Sequence, residues 1–303
     1  MVKRLRVLAV LLAAAGLCAL LPIGPWWFEL PRHYLVQIAV CSWVAMVVFL
    51  LLRERRWAVP FLVLGIGQTW LVFAALQGPE HVEVRDGDLK LLSANVLTSN
   101  PDAQPLLDLV ASEQPDFLLL LEVNQGWLQK LASLHAQFPH RLDHPRGDNF
   151  GISLWSRLPM DASAAWLGDE EIPSIVASIH GDQAFTLFAI HPLPPARKRM
   201  ARSRDRQLNA IAERVLTTAG PVLVAGDANA TPWSGPMFRF REQTGLRTAR
   251  TSLIATWPTS APPLGIQIDQ VLVSEGLDVV SCTRGADIGS DHWPLVTSFR
   301  RSR

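Results

Sequence analysis

Hydrophobic and polar positions divide the 303-residue chain into two regions. Up to residue 79, three long runs carry no charged residue: Val7–Phe28, Tyr34–Leu52 and Trp57–Pro79. Each run is close to the roughly 20 residues that a helix needs to cross about 30 Å of hydrocarbon. From Leu89 onward, short apolar runs typical of strands alternate with segments typical of amphipathic helices. The pattern predicts a membrane anchor followed by an α/β domain.

The first region is predicted to be an anchor over residues 1–79, with three transmembrane helices at about 7–25, 34–52 and 57–77. Two alternatives remain open. The first run follows Lys3, Arg4 and Arg6, as a signal peptide would, and the other two runs could be buried core helices. Three such runs within 79 residues favour membrane spans.

Basic residues predict the orientation of these spans. Three lie before the first run, and Arg53, Arg55 and Arg56 lie between the second and the third. The positive-inside rule places both groups in the cytoplasm. An odd number of spans then puts everything after Gln77 outside, and loss of the first run as a signal peptide would not change that side.

The second region is predicted to be a catalytic domain over residues 89–303, joined to the anchor by a linker at 80–88. Gly181-Asp182-Gln183 is short enough to join its flanking runs as a hairpin, so the sheet cannot be purely parallel. The predicted strands are Leu89–Ala94, Asp116–Leu121, Phe150–Ser156, Ser174–His180, Ala184–Ile190, Val222–Ala225, Gln270–Ser274, Asp278–Cys282 and Pro294–Phe299. The predicted helices are Ala103–Glu113, Gln125–Ala136, Ala201–Thr218 and Ser234–Gln243.

Charge and cysteine content narrow the function classes. Residues 1–79 hold seven Lys/Arg and two Asp/Glu, whereas the remainder holds 21 and 25. A mildly acidic domain lacks the excess of Lys and Arg that sequence-independent binding to nucleic-acid phosphates requires. Three cysteines, two of them in the anchor, predict neither a disulfide framework nor a metal-thiolate site.

Polar side chains stand beside the apolar runs, where strands could deliver them to one edge of a sheet. Carboxylates, amides and histidines at such an edge are what a hard divalent cation and a general base require. Taken singly, each residue has an ordinary explanation, such as a polar turn, a helix cap or an exposed strand end. The set comprises Asn95, Glu122, His191, Asp227, Asn229, Asp269, Asp291 and His292.

In order along the chain, these residues form a recognisable series, with Asn149/Gly151 and Ser156-Arg157 between Glu122 and His191 and with Ser290-Asp291-His292 at its end. The series resembles the endonuclease/exonuclease/phosphatase superfamily, which includes deoxyribonuclease I and the neutral sphingomyelinases. The resemblance covers about residues 88–300. It implies a four-layer α/β/β/α sandwich with the site at one rim.

The resemblance also implies roles. Glu122 is similar to the principal magnesium carboxylate, assisted by Asn95 and Asp291. His292 resembles the general base, oriented by Asp269. Asp227 and Asn229 would position the phosphate, and His191 would donate to a phosphoryl oxygen or assist the leaving group. Asn149, Arg157 and Arg197 are the predicted substrate-binding residues.

The predicted function is magnesium-dependent hydrolysis of a phosphodiester or phosphomonoester, with manganese as the other candidate metal. His191-Pro192 is similar to the deoxyribonuclease and sphingomyelinase branch, whereas the active-site tyrosine of the abasic-site branch has no counterpart. Lipid headgroups are the first substrate prediction and nucleic acid is the alternative. A catalytically silent binding module is a further alternative. The bilayer is the other predicted partner, with no obligate protein partner, and composition favours a bacterial inner membrane with a periplasmic domain.

Overall fold

A computed structural model describes residues 2–21, 26–168 and 171–302. The first region is helical: α1 (Val2–Leu20), a 3₁₀ turn (Trp26–Phe28), α2 (Glu29–His33), α3 (Leu35–Leu51) and α4 (Arg55–Ala75). Residues 22–25, which close the predicted first span, lie outside the described residues. The apolar runs therefore form helices, as their length and composition predict.

These helices only partly meet the requirements of a membrane span. Among the described residues, α4 alone is long and apolar enough, and a second span is counted only if Trp26–His33 and Leu35–Leu51, bent by 67°, act as one. Alone, α3 has 17 residues, about 25 Å at 1.5 Å per residue. Basic residues occupy the first turns of α1. The expectation of three full spans is not supported.

Two six-stranded mixed sheets form the second region. The strands of the first sheet are β1 (Leu89–Asn95), β2 (Phe117–Leu121), β3 (His140–His144), β4 (Ile152–Ser156), β11 (Leu277–Arg284) and β12 (Leu295–Arg301). Those of the second are β5 (Met160–Ala165), β6 (Ser174–Ile179), β7 (Phe185–Ile190), β8 (Val222–Asp227), β9 (Arg247–Thr248) and β10 (Asp269–Val273). The first sheet has the order β11-β12-β1-β2-β4-β3, and the second has the order β5-β6-β7-β8-β10-β9.

Three apolar cores hold the layers together. The inner faces of both sheets share one core, which includes Phe117, Phe185 and Phe299 in mutual ring contact. The first sheet packs its other face on α5 (Gln104–Glu113) and α6 (Gln125–Lys130). The second packs on α7 (Lys198–Leu216) and α8 (Gly235–Thr244). The layers run helix, sheet, sheet, helix, as predicted.

One end of the helical region is docked on the α/β domain. Arg204 of α7, fully buried, makes two 2.7 Å hydrogen bonds to the Glu29 carboxylate. Trp233, which precedes α8, packs in an apolar cluster with Leu35 and Val72. At the opposite end, Arg6 pairs with Glu54 of the turn between α3 and α4 at 2.8 Å.

The segment after α4 also follows the domain surface. Arg241 donates to the Ala75 carbonyl at 2.6 Å, and the His81 ring nitrogen lies 3.0 Å from the Ala249 carbonyl. The Val82 amide donates to the Val279 carbonyl at 2.9 Å, and Arg300 donates to the Glu83 carbonyl. The predicted linker is thus held against the domain along its length.

Candidate active site

The rim of the two sheets gathers the predicted polar residues because of strand direction. In the first sheet, β1 and β2 are parallel and end at Asn95 and Leu121, directly before Glu122. In the second sheet, β7 and β8 are parallel and end beside His191 and Asp227. Antiparallel β10 begins at Asp269, directly opposite Asp227. The rim therefore receives a residue from five chain segments.

Glu122 is held in place by three hydrogen bonds from two residues. Its carboxylate accepts hydrogen bonds from the Asn95 side-chain amide at 3.0 Å and from the Thr98 amide at 3.3 Å. The Thr98 hydroxyl donates to the Glu122 carbonyl at 2.9 Å. Glu122 also adopts φ of +62°, in the left-handed region that is costly for a residue with a Cβ. Such local strain is typical of functional positions.

A buried carboxylate–histidine group forms the centre of the rim. His292 Nδ1 lies 2.9 Å from Asp269 Oδ2, and His292 Nε2 lies 3.8 Å from Asp227 Oδ2. All three side chains are buried, and their ligand atoms lie within 4.8 Å of one another. The short contact at Nδ1 leaves Nε2 as the nitrogen that can exchange a proton with a ligand.

The same geometry sets the charge of the ring. Burial by itself lowers the pKa of His292, but the hydrogen-bonded Asp269 carboxylate, with Asp227 and Asp291 nearby, raises that pKa to about 10. For Asp227, burial is outweighed by the hydrogen bond from His191 and the charge of His292, so its pKa lies below the usual value. These neighbouring carboxylates therefore favour the protonated imidazolium form of His292.

His191 and Asn229 border this centre. His191 Nε2 lies 3.6 Å from Asp227 Oδ2, while its Nδ1 is buried and has no hydrogen-bond partner among the described residues. The Asn229 amide donates to Asp227 Oδ1 at 2.8 Å, and the Asn229 side chain donates to the Pro192 carbonyl at 2.9 Å. The Asp227–Asn229 turn and the His191 loop are thereby tied together.

Asp291 also lines the cleft and adds a further carboxylate to the donor set. Its Oδ2 accepts a 3.0 Å hydrogen bond from the Trp257 indole, whereas Oδ1 is buried and has no hydrogen-bond partner among the described residues. An orphaned carboxylate oxygen is costly unless it has a ligand. Together with the oxygens of Glu122 and Asn95, it fits the oxygen chemistry of a hard divalent cation.

The three predicted substrate-binding residues are not brought together. Asn149 lines the cleft beside Glu122 and His191. Arg157 lies at the far end of β4, where its side chain contacts Gln114 at 2.9 Å. Arg197 borders a separate groove next to α7. Of the three, the structure brings only Asn149 to the cleft.

The cleft has a volume of about 380 Å³. One of its walls is formed by residues that were not predicted from the sequence. Besides the polar residues, it is lined by Phe150, Trp257 and Ile266 from the α/β domain. Leu30, His33 and Tyr34 of the first region line it too. These residues were missed because none carries a sequence signal beyond an apolar run or a Pro-rich loop.

The layered fold and its rim of acidic and histidine residues define a class of hydrolases that act on phosphoester bonds. A model of the endonuclease/exonuclease/phosphatase family matches residues 92–292. The chain therefore belongs to that family.

Solved structures agree in fold. The endonuclease/exonuclease/phosphatase protein of Beutenbergia cavernae is 18% identical, with a TM-score of 0.60 over 71% of this chain and 72% of that one. D. rerio TDP2 complexed with a single-strand DNA product is 16% identical, at 0.59 over 71% and 99%. The human Nocturnin catalytic domain with bound sulfate is 18% identical, at 0.56 over 74% and 98%. No protein of curated function matches the sequence significantly.

Proposed function

We propose that this protein is a membrane-anchored, magnesium-dependent phosphoesterase that hydrolyses a phosphoester bond in a lipid headgroup. The observation that carries the proposal is the composition of the cleft. Leu30 and Tyr34 of the helical region stand in one cleft with His191 and His292. A substrate there meets polar catalytic groups and an apolar wall at once, as a lipid phosphoester requires.

The surface of the helical region supports the membrane anchor. Among the described residues, 20 of the 26 exposed large hydrophobic side chains belong to residues 7–73. The polar Ser42 and Gln68 are fully buried within the same region. Apolar residues outside and polar residues inside are the arrangement that a bilayer favours.

The orientation has support as well. Arg6 and the Glu54 turn meet at one end of the helices, and the α/β domain is docked at the other. The positive-inside rule assigns the end with Arg6 to the cytoplasm. The catalytic domain then faces the extracytoplasmic side, which is the periplasm in a bacterium with an inner membrane.

The chemistry assigned to the residues is hydrolysis by an activated water. The water oxygen bonds to phosphorus while its proton passes to His292 Nε2, and Asp269 keeps Nδ1–H directed away from the substrate. The bond from phosphorus to the leaving oxygen breaks, and His191 supplies a proton to that oxygen. The Asn229 side chain and the Asp227 turn orient the phosphoryl group.

Asn95, Glu122 and Asp291 are the residues that would hold the cation. When bound, Mg²⁺ would neutralise charge on the phosphoryl oxygens and, beside Asp291, would favour the neutral form of His292 that a general base needs.

The test uses the full chain in non-ionic detergent, with mixed micelles of phospholipids and, separately, plasmid and single-stranded DNA. We expect Mg²⁺-dependent release of phosphorylated headgroup or of phosphate, abolished by EDTA and by His292→Ala. Rapid DNA cleavage without lipid turnover would contradict the lipid assignment. That nucleic-acid alternative has one observation in its favour, the single-strand DNA product bound to the similar fold of D. rerio TDP2.

A second experiment tests whether the apolar wall of the cleft contributes to lipid binding, by comparing two Leu→Ser variants. Leu30→Ser should raise KM for the lipid several-fold and leave turnover of a soluble chromogenic phosphodiester unchanged. Leu253→Ser is the matched control, since Leu253 is 53% exposed and does not line the cleft. Equal lipid KM values for the two variants would show that the apolar wall does not contribute to lipid binding.

A further inference from the structure

A second cleft, distinct from the catalytic one, lies where the helical region meets α7 and α8. Its volume is about 500 Å³. Basic side chains from three different segments line it: Arg32 from α2, Lys198 and Arg202 from α7, and Arg239 from α8. This cleft shares no lining residue with the catalytic one.

Arg32 gives the clearest sign of a ligand. The residue is only 4% exposed, and its Nε donates to the Trp233 carbonyl. Its Nη1 is buried and has no hydrogen-bond partner among the described residues. A buried guanidinium nitrogen without an acceptor is costly, and an anion in the cleft would supply the acceptor.

The two acidic residues at the cleft are already engaged. Both Glu29 oxygens accept hydrogen bonds from Arg204 at 2.7 Å, and Asp205 Oδ1 accepts one from Arg204 at 2.8 Å. Among the described residues, Lys198 and Arg202 have no carboxylate partner. The lining therefore offers positive charge that is not neutralised within it.

The aromatic residues of the cleft indicate where the anion comes from. Trp26, Trp27 and Phe28 line it, and Trp27 is 51% exposed. Tryptophan is enriched at the level of lipid headgroups, and basic clusters beside a membrane helix attract anionic lipids. Both features occur here at the end of the helices where the α/β domain is docked.

We propose that this cleft binds the phosphate group of an anionic phospholipid from the leaflet on the side of the catalytic domain. The inference rests on the proposed membrane anchoring but not on the catalytic chemistry. The bound phosphate accepts from Arg32 Nη1, Lys198 and Arg202, while the indole rings of Trp26 and Trp27 contact the glycerol and upper acyl chain.

Binding is tested apart from turnover, in the presence of EDTA and in a His292→Ala background. Detergent-solubilised full chain is titrated calorimetrically with dihexanoyl-phosphatidylglycerol and with dihexanoyl-phosphatidylcholine. Lys198→Ala/Arg202→Ala should weaken binding of the anionic lipid by about tenfold or more. Arg199→Ala is the control on the same helix, because Arg199 borders a different groove. It should change affinity less than twofold.

Several results would overturn the proposal. These are equal loss of affinity in the Arg199→Ala control, equal binding of phosphatidylcholine, or inorganic phosphate binding as tightly as the anionic lipid. Arg32→Gln should weaken binding too, and its Tm is compared with that of the parent protein. Since the Lys198 and Arg202 side chains are exposed, their variants keep the test decisive if Arg32→Gln does not fold.

Discussion

Asp269→Asn should change both the titration of His292 and the rate of hydrolysis. The substitution keeps the shape of the side chain but removes the charge 2.9 Å from His292 Nδ1. The rise of the His292 pKa from 6.5 to about 10 corresponds to roughly 5 kcal/mol in favour of the imidazolium. Asp269 is the largest favourable contributor, so the pKa in the variant should fall by more than 1.

The metal-free protein gives the cleanest measurement. Imidazole signals are followed by NMR in EDTA, and the His292 signal is assigned by its loss in His292→Gln. Because the folded pKa is raised, the stabilisation from the charged ring is complete below pH 6.5 and is lost as pH rises towards 10. The stability difference between wild type and Asp269→Asn should shrink over that window.

Activity gives the second readout. With the ring no longer oriented and polarised by a carboxylate, kcat should fall by about 10²–10⁴. Asp161→Asn is the matched control, since Asp161 makes the same 2.9 Å contact with the exposed His180. A His292 pKa still near 10 in Asp269→Asn, or a kcat within threefold of wild type, would refute the reasoning.

Four other substitutions test the cation site, the docking of the helical region and the packing of the rim. Glu122→Gln should raise the Mg²⁺ concentration for half-maximal activity by about tenfold or more, and an unchanged Mg²⁺ titration would remove Glu122 from the donor set. Arg204→Met should lower the free energy of unfolding by about 3–5 kcal/mol, because it removes the guanidinium that pairs with the buried Glu29 carboxylate. Glu29→Gln should cost less, because Arg204 keeps its 2.8 Å ion pair with Asp205. Thermal melts should show the double variant to be less destabilised than Arg204→Met alone. Gly151→Ala should cost about 1–3 kcal/mol, because its Cβ would overlap the Val123 carbonyl. Gly147→Ala, with open space around it, should melt like wild type.

Much of the fold follows from local pattern. Nine strands were predicted from apolar runs, and each overlaps an observed strand. The edge strands β3, β5 and β9 were missed. The sequences of β3 and β5, His140–His144 and Met160–Ala165, alternate half-exposed residues without an apolar run, and β9 has only two residues. The predicted helix over residues 125–136 divides into Gln125–Lys130 and a 3₁₀ turn at Ala132–Ala136.

The rim residues were accessible from sequence because each stands at a strand end or within four residues of one, where topology decides its neighbours. Thr98 and Trp257, which hold Glu122 and Asp291, were missed because nothing local separates them from other loop residues. Arg157 was placed near the site on the resemblance alone, yet it lies at the far end of β4 from the rim. The contribution of Leu30 depends on docking between distant segments, which no local pattern encodes.

The linker at 80–88, which is hydrogen-bonded to the α/β domain, affects how the enzyme would meet its substrate. His81, Val82 and Glu83 are hydrogen-bonded to the domain. The segment therefore does not act as a flexible tether, and the cleft keeps its position relative to the helices. In the proposed membrane arrangement it stays at one fixed height above the bilayer. Encounters then depend on lateral diffusion of lipid in two dimensions, and molecules dissolved far from the surface stay out of reach.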